Sequence, residues 1–124
     1  MKSIAPMRIL VVDDEEIAQM VIKKILNELG CDSTVVGFGS EALDLVATNN
    51  YDLIFMDLYV ADMDGFNIIK RIRGMNKDTP IVILTAHPSP GMKKRALVLG
   101  SHDFLSKPIT LETCKLIIDK YKKI

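Results

Sequence analysis

The sequence predicts an α/β fold in which helices cover both faces of a doubly wound, five-stranded parallel sheet. Short apolar runs alternate along the chain with segments whose apolar residues recur at helical spacing. The central run, residues 53–56, shows no polar alternation, which is typical of a parallel strand buried on both faces. Short connections between parallel strands make right-handed crossovers, and the resulting α/β units stack into a layered sheet.

Length and composition predict one folded domain without a bias toward nucleic acid or membranes. A chain of 124 residues can bury a core without disulfides, and 48% hydrophobic with 26% charged residues argues against disorder. Sixteen basic residues balance sixteen acidic ones, so no overall field attracts nucleic acid or a membrane surface. No apolar run approaches the roughly 20 residues that span a bilayer.

The termini and cysteines predict a cytoplasmic protein. Residues 1–6 contain no apolar segment of the kind found in signal peptides. Cys31 and Cys114 lie far apart and form no CxxC motif, as expected of reduced cysteines in a cytosolic protein. We found no linker, and we predict a lead-in at residues 1–6 and a single domain at residues 7–124.

The first strand is predicted at residues 7–12, where an apolar run ends at Asp13 and Asp14. The two glutamates that follow suit the positive end of a helix dipole, so the first helix begins there. Gly30 is a natural stop for this helix. The apolar residues predicted to share one stripe of the helix are Ile17, Val21, Ile25 and Leu29.

A second strand and helix lead to the central strand. Residues 34–38 predict a weaker strand, and Ser40 is a suitable cap for a short helix. The residues of this helix predicted to face the core are Leu43, Val46 and Ala47. The central strand then ends abruptly at Asp57, a carboxylate that is costly to bury without a cation.

The third helix and fourth strand follow a polar loop. The helix is predicted at residues 65–73 with Gly74 as its end, and its inward residues are Phe66, Ile69 and Ile72. The loop before it superficially resembles a calcium-binding loop. That interpretation is rejected, because Val60 and Arg71 would occupy positions that need oxygen donors. The fourth strand is predicted at residues 81–84 and stops at Thr85.

The last third of the chain contains a stiff loop, two helices and a brief strand. The fourth helix is predicted from about Met92 to Leu99 and ends at Gly100. Two prolines in residues 87–91 restrict the backbone, which leaves two alternatives: a loop too stiff to rearrange, or a helix that starts late. The fifth strand is predicted at residues 103–105, and Thr110 caps the last helix. The apolar residues of that helix, spaced i, i+3, i+4, i+7, are Cys114, Ile117, Ile118 and Tyr121.

Polar residues stand where the predicted strands end. In an open α/β sheet, ligands bind outside the carboxyl ends of the strands, where the strand order reverses. With strand order 2-1-3-4-5, Asp13, Asp14 and Asp57 meet at that point. Three close carboxylates repel one another, and a divalent cation relieves the repulsion. Oxygen ligands alone favour Mg²⁺ over Zn²⁺.

The motifs Asp13-Asp14, Asp57, Thr85-Ala86 and Lys107-Pro108, in this order and spacing, resemble the receiver domain of two-component response regulators. The resemblance covers the chain from residue 7 onward and implies a flavodoxin-like three-layer sandwich with sheet order 2-1-3-4-5. It implies that Asp57 accepts a phosphoryl group from a phosphohistidine. It also implies that Asp13, Asp14, Asp57 and the backbone carbonyl of Tyr59 hold Mg²⁺.

The same resemblance assigns roles to the remaining motif residues. Thr85 and Lys107 bind the phosphoryl oxygens, Ala86 leaves the phosphoryl group a path in, and the peptide bond before Pro108 is cis in many members. Thr85 and Phe104 form the switch, which changes the face made by the fourth helix, fifth strand and fifth helix.

The implied partners are a sensor histidine kinase or phosphotransfer protein, and a downstream protein or effector domain. A phosphorylation-dependent dimer is left open. The chain then acts as a signalling phosphoacceptor and not as an enzyme with a separate substrate.

Two other interpretations remain as alternatives. A phosphatase of the haloacid dehalogenase type also combines Asp, Thr, Lys and Mg²⁺, but its nucleophile lies in a DxD pattern on the first strand. Here the first strand is followed by adjacent Asp13 and Asp14, and no cap domain is present. The second alternative is a receiver-like scaffold that takes no phosphate, which the complete acidic set argues against.

Overall fold

The sheet has five parallel strands in the order β2-β1-β3-β4-β5, as predicted. A computed structural model of the chain describes residues 5–122. The strands are β1 (Arg8–Val12), β2 (Asp32–Val36), β3 (Leu53–Asp57), β4 (Ile81–Thr85) and β5 (Asp103–Ser106). The helices are α1 (Glu16–Glu28), α2 (Gly39–Thr48), α3 (Gly65–Gly74), α4 (Pro90–Leu99) and α5 (Leu111–Tyr121).

Helices cover both faces of the sheet, so the core has two halves. Alternate residues of one strand enter opposite halves, because side chains on a strand point to opposite faces in turn. On β3, Ile54 and Met56 pack under α2 and α3, whereas Leu53 and Phe55 pack under α1 and α5. All five residues of β3 are buried, which explains the continuous apolar run in the sequence.

The predicted inward stripe of α1 is partly wrong. Ile17 is 72% exposed and Val21 is 43% exposed, while Ile22 and Leu26 are buried against the sheet. Ile25 and Leu29 are half-buried at the margin of the contact. The helix carries more apolar residues than one face can bury, so helical spacing alone did not identify which stripe faces the core.

Strand β2 and helix α2 also differ from the prediction. The strand ends at Val36, two residues early, where its carbonyl accepts the Asp13 N–H at 3.0 Å. Ser40 lies inside α2 and does not cap it. The carboxylate of Asp62 instead accepts the first N–H groups of the helix. Ala47, predicted to face the core, is exposed.

Helix α4 begins at Pro90, so the prediction of a late start at Met92 is wrong. The hydroxyl of Ser89 accepts the Met92 N–H at 3.2 Å, and Pro90 occupies the first turn. Proline suits this position because its fixed φ matches the helix and its missing N–H would have no intrahelical partner. The predicted Thr110 cap of α5 is confirmed, with a reciprocal capping box to Thr113.

Within residues 5–122, none of the helices combines the length and apolar character that crossing a membrane requires. Residues 1–4 of the predicted lead-in and residues 123–124 of the predicted domain lie outside the described residues.

Candidate functional site

The polar edge of the sheet is formed where β1, β3 and β4 end. Asp13 directly follows β1, and Asp57 is the last residue of β3, the strand that pairs with β1 through Val12 and Met56. One carboxylate oxygen from each of Asp13, Asp14 and Asp57 lies within 4.8 Å of the others. The structure therefore brings together the three carboxylates that the sequence singled out.

Lys107 reaches this cluster from the loop after β5. Its Nζ donates to Oδ2 of Asp13 and to Oδ2 of Asp57, each at 2.8 Å. Its backbone N–H donates to the carbonyl of Thr85 at 2.8 Å, which ties the loop to the end of β4. The Lys107–Pro108 peptide bond is cis. Lys107 is thus the cation that the burial of Asp57 required.

The electrostatics of the cluster favour a further cation. Burial raises the pKa of Asp13 above its usual value, and this effect exceeds that of its hydrogen bond to Lys107. Burial by itself lowers the pKa of Lys107, but hydrogen bonds and attraction to Asp13 and Asp57 outweigh it and raise that pKa overall. Lys107 therefore stays protonated, and a single ammonium leaves three neighbouring carboxylates incompletely neutralised.

Backbone groups fix the two buried carboxylates. Oδ1 of Asp13 accepts the Glu15 N–H at 2.9 Å, and Oδ1 of Asp57 accepts the Tyr59 N–H at 3.0 Å. The side-chain amide of Gln19, from α1, donates to the backbone carbonyl of Asp13. Both carboxylates are therefore held in one orientation, while Asp14 is exposed on the outer side of the cluster.

The residues present fit Mg²⁺. The donors are carboxylate oxygens, without Cys or His in the group, and oxygen ligands are those that Mg²⁺ prefers. Tyr59 lies two residues beyond Asp57 and lines an open depression together with Asp14. Tyr59 is 66% exposed.

Thr85 and Phe104 lie on the same side of the sheet. Thr85 pairs with Ser106 in the β4–β5 register, and Phe104 precedes Ser106 by two residues. Because alternate residues of a strand share a face, both side chains point toward the core half under α3 and α4, against which Phe104 packs. Thr85 is buried, and its hydroxyl accepts the His87 N–H at 3.3 Å.

Ala86 and Pro108 line a groove of about 420 Å³ that opens beside Asp13 and Lys107. Its other wall is the outer side of α1, including the exposed Ile17 and Val21. Ala86 is itself exposed.

Sequence reasoning missed two contacts that support the site. Asp62 bonds to Gly39 and Ser40 of α2, and Gln19 bonds to the carbonyl of Asp13. The Asp62 contact joins residues more than twenty positions apart, so no local sequence pattern predicts it. In the loop that superficially resembles a calcium-binding loop, Asp62 and Asp64 each accept helix N–H groups.

Comparison with known proteins shows similarity to one family along most of the chain. The family described as the response regulator receiver domain matches residues 9–119. Two-component response regulator 24 of Arabidopsis thaliana is 38% identical over 112 residues, which cover 90% of this chain and 81% of that protein. Response regulator MprA of Mycobacterium sp. (strain KMS) is 36% identical over 107 residues, or 86% of this chain, but this match spans only 46% of the mycobacterial protein.

A solved structure matches the fold closely. It is the receiver domain of the sensor histidine kinase PA1611 from Pseudomonas aeruginosa PAO1, in which a magnesium ion is coordinated in the active site cleft. The TM-score is 0.86 at 31% identity, and the match covers 94% of this chain and 98% of that one.

Proposed function

This chain belongs to the receiver-domain family of two-component response regulators, and from that premise we propose that Asp57 takes a phosphoryl group from a phosphohistidine. One observation carries the proposal. Lys107 Nζ lies 2.8 Å from Oδ2 of both Asp57 and Asp13, with Asp14 in the same cluster at the carboxyl end of the sheet.

The metal ligands in this proposal are the carboxylates of Asp13, Asp14 and Asp57 and the backbone carbonyl of Tyr59. The cluster of three carboxylates with a single ammonium supports this assignment. When bound, Mg²⁺ supplies positive charge at the oxygens where negative charge develops during phosphoryl transfer.

Each residue of the site then has its own role in phosphoryl transfer. An Asp57 carboxylate oxygen forms the new bond to phosphorus, and the bond from phosphorus to the imidazole nitrogen of the donor breaks, the electron pair leaving with the imidazole. The ammonium of Lys107 and the hydroxyl of Thr85 donate to the phosphoryl oxygens. Ala86 leaves the path of approach open. Water later cleaves the acyl phosphate, which releases inorganic phosphate and returns Asp57 to its carboxylate form.

We assign the switch to Thr85 and Phe104. A phosphoryl group adds about −1.5 to −2 charges and three strong acceptors. In our proposal these draw the Thr85 hydroxyl toward Asp57, and Phe104 turns into the space that is vacated. The changed face is that of α4, β5 and α5, whose exposed apolar residues include Leu97, Val98 and Leu116.

The partners follow from this scheme. A sensor histidine kinase or phosphotransfer protein donates the phosphoryl group, and a downstream protein or effector domain, or a second copy of the chain, reads the changed face. The domain is a signalling phosphoacceptor that catalyses only its own phosphorylation and dephosphorylation. We propose residues 7–124 as its extent and the cytoplasm as its location.

Incubation with acetyl phosphate and Mg²⁺ tests the proposal. Intact-protein mass spectrometry should show the gain of one phosphoryl group. The gain should not occur when a chelator is present during the incubation, nor in Asp57→Asn. Asp44→Asn is the matched control, because Asp44 is an exposed acidic residue on α2 away from the cluster. The absence of any mass gain in the unaltered chain would favour the unphosphorylated scaffold.

A further inference from the structure

We propose that Asp62 is a positioning residue for the loop that carries Tyr59, acting by tethering this loop to the N-terminus of α2. The loop comprises residues 58–64 and is called the β3–α3 loop below. The inference rests on the proposed function, because it concerns the loop whose Tyr59 carbonyl is assigned to the metal site. It adds a residue that lies outside that assignment.

The tether is a two-point contact. Oδ1 of Asp62 accepts the Gly39 N–H at 2.7 Å, and Oδ2 accepts the Ser40 N–H at 3.1 Å. The backbone hydrogen bonds lower the pKa of Asp62 below its usual value, because they favour the charged carboxylate. Asp62 is therefore ionised at neutral pH, and a negative charge suits the positive end of the α2 dipole.

Helix α2 lacks a cap of its own. Its N-cap residue is Phe38, which has an extended backbone and no side-chain acceptor for the helix. The first N–H groups of a helix have no intrahelical partner and need one from elsewhere. Asp62 provides that partner from the β3–α3 loop, so the helix end and the loop hold each other.

Gly39 provides a second contact between the same two segments. A Cβ at this position would lie 2.7 Å from Cδ1 of Ile68 and 3.0 Å from Sδ of Met63, the residue after Asp62. The first distance is shorter than real Cβ atoms show, so a side chain at position 39 would require Ile68 to shift, and glycine lets α3 and the loop lie closer to α2. Packing and hydrogen bonding therefore fix the same part of the loop.

The base of the loop is already closed by backbone contacts. Tyr59 and Asp64 form an antiparallel bridge, and the Gly65 N–H donates to the carbonyl of Leu58 at 2.9 Å. Asp62 lies beyond this bridge, at the tip of the loop. The bridge holds the base and the tether holds the tip against α2, so in our inference the loop, and with it the Tyr59 carbonyl, is restrained at both ends.

A rescue experiment separates positioning from helix capping. Asp62→Ala removes both functions. Adding Phe38→Ser returns a side-chain acceptor to the N-cap of α2, where the backbone φ of −127° and ψ of 141° already suit a capping serine. Phe38 is 50% exposed, so the second substitution disturbs little packing. Asp62→Asn, which keeps one acceptor oxygen, is the conservative variant and serves if the alanine variant folds poorly.

The readouts are Mg²⁺ affinity by calorimetry, hydrogen exchange of the metal-free protein, and the thermal midpoint. We expect Asp62→Ala to weaken Mg²⁺ binding about tenfold, as for other residues that orient metal ligands, and to speed exchange at the Gly65 amide. Asp62→Asn should have a smaller effect. The double variant should recover the thermal midpoint while Mg²⁺ affinity and loop exchange stay impaired.

Recovery of Mg²⁺ affinity together with stability in the double variant would overturn the inference, because Asp62 would then act only as a helix cap. Unchanged Mg²⁺ affinity in Asp62→Ala would overturn it too. If the unaltered chain binds no Mg²⁺, the metal site of the proposed function fails first, and the inference fails with it. That result is distinguishable, because it appears before any substitution is made.

Discussion

Lys107 and Asp57 form a part-buried ion pair, Nζ to Oδ2 at 2.8 Å, although they stand fifty positions apart in the sequence. The Lys107 side chain is 21% exposed and that of Asp57 is 11% exposed. The same ammonium also bonds to Asp13. Lys107 therefore stabilises the acidic cluster in the metal-free chain and repels any other cation that approaches it.

Lys107→Met should separate metal binding from phosphorylation. Loss of the ammonium removes a repulsion that costs a divalent ion on the order of 1–2 kcal/mol at a few ångströms in high dielectric, so Mg²⁺ should bind roughly tenfold more tightly. Phosphorylation by acetyl phosphate should slow by about 10²-fold, as when one charge-stabilising donor is lost. Calorimetry and mass spectrometry measure the two effects.

Lys107→Arg is the control, because it keeps the charge while altering its position. A decrease in Mg²⁺ affinity in Lys107→Met would contradict the account, because it would mean that Lys107 supports the metal and does not compete with it.

Thr85→Ala should uncouple phosphorylation from the α4–β5–α5 face. Thr85 and Phe104 point to the same side of the sheet, and our scheme needs the hydroxyl to move first. Addition of beryllofluoride and Mg²⁺, which mimic the phosphoryl group, should shift the NMR signals of the Phe104 ring in the unaltered chain. The shift should persist in Thr85→Ser and disappear in Thr85→Ala. An undiminished shift in the alanine variant would exclude Thr85 from the switch.

Arg73 lies away from the site, and Arg73→Met should destabilise the fold. The Arg73 guanidinium donates from Nε and Nη2 to the carbonyl of Gly100, at 3.2 and 2.6 Å, and from Nη1 to that of Lys77 at 2.8 Å. Losing hydrogen bonds from a charged donor to part-buried carbonyls should cost about 2–3 kcal/mol in free energy of unfolding. Denaturant titration measures this change. Arg71→Met is the control, since Arg71 is exposed on the same helix, and equal losses in both variants would refute the assignment.

His102 should make stability depend on pH near neutrality. Burial and the nearby Arg73 lower the pKa of His102, with Lys120 adding to the effect and Asp103 and Asp78 opposing it. Its Nδ1 also accepts the Ile81 N–H at 3.3 Å, which requires that nitrogen to be unprotonated.

The unfolded chain therefore takes up the His102 proton at a higher pH than the folded chain does. Free energy of unfolding should fall as the pH drops below about 6.5, the usual pKa of histidine, and the decline should end below the lowered folded-state pKa. Denaturant titrations across this range should show the decline in the unaltered chain and a flatter profile in His102→Gln. A rise in stability on acidification would show that the sign is wrong.

Strands β3 and β4 and the site motifs could be predicted because their signals are local. Each of these strands is a continuous apolar run that ends at a polar residue, Asp57 in β3 and Thr85 in β4. The order of the polar residues at the strand ends is visible in the sequence. The Thr110 cap was predictable for the same reason, since a capping residue acts on the turn that follows it.

Contacts between distant segments could not be predicted this way. Ser40 has the right residue type for a cap, but the true acceptor for α2 is Asp62, from a loop more than twenty residues further on. On α1, Ile17 and Val21 fit a helical stripe as well as Ile22 and Leu26 do, and only packing against the sheet decides between them. The start of α4 is different, since Pro90 carried a local signal that the prediction did not use.

The central claim is that Asp57 itself carries the phosphoryl group, and chemical mapping tests it most directly. The chain is treated with acetyl phosphate and Mg²⁺, reduced with borohydride, which converts an aspartyl phosphate to homoserine, and analysed by peptide sequencing. The account predicts homoserine at position 57 alone. Two results would contradict it: homoserine at position 13, the aspartate at the end of the first strand, or homoserine at no position.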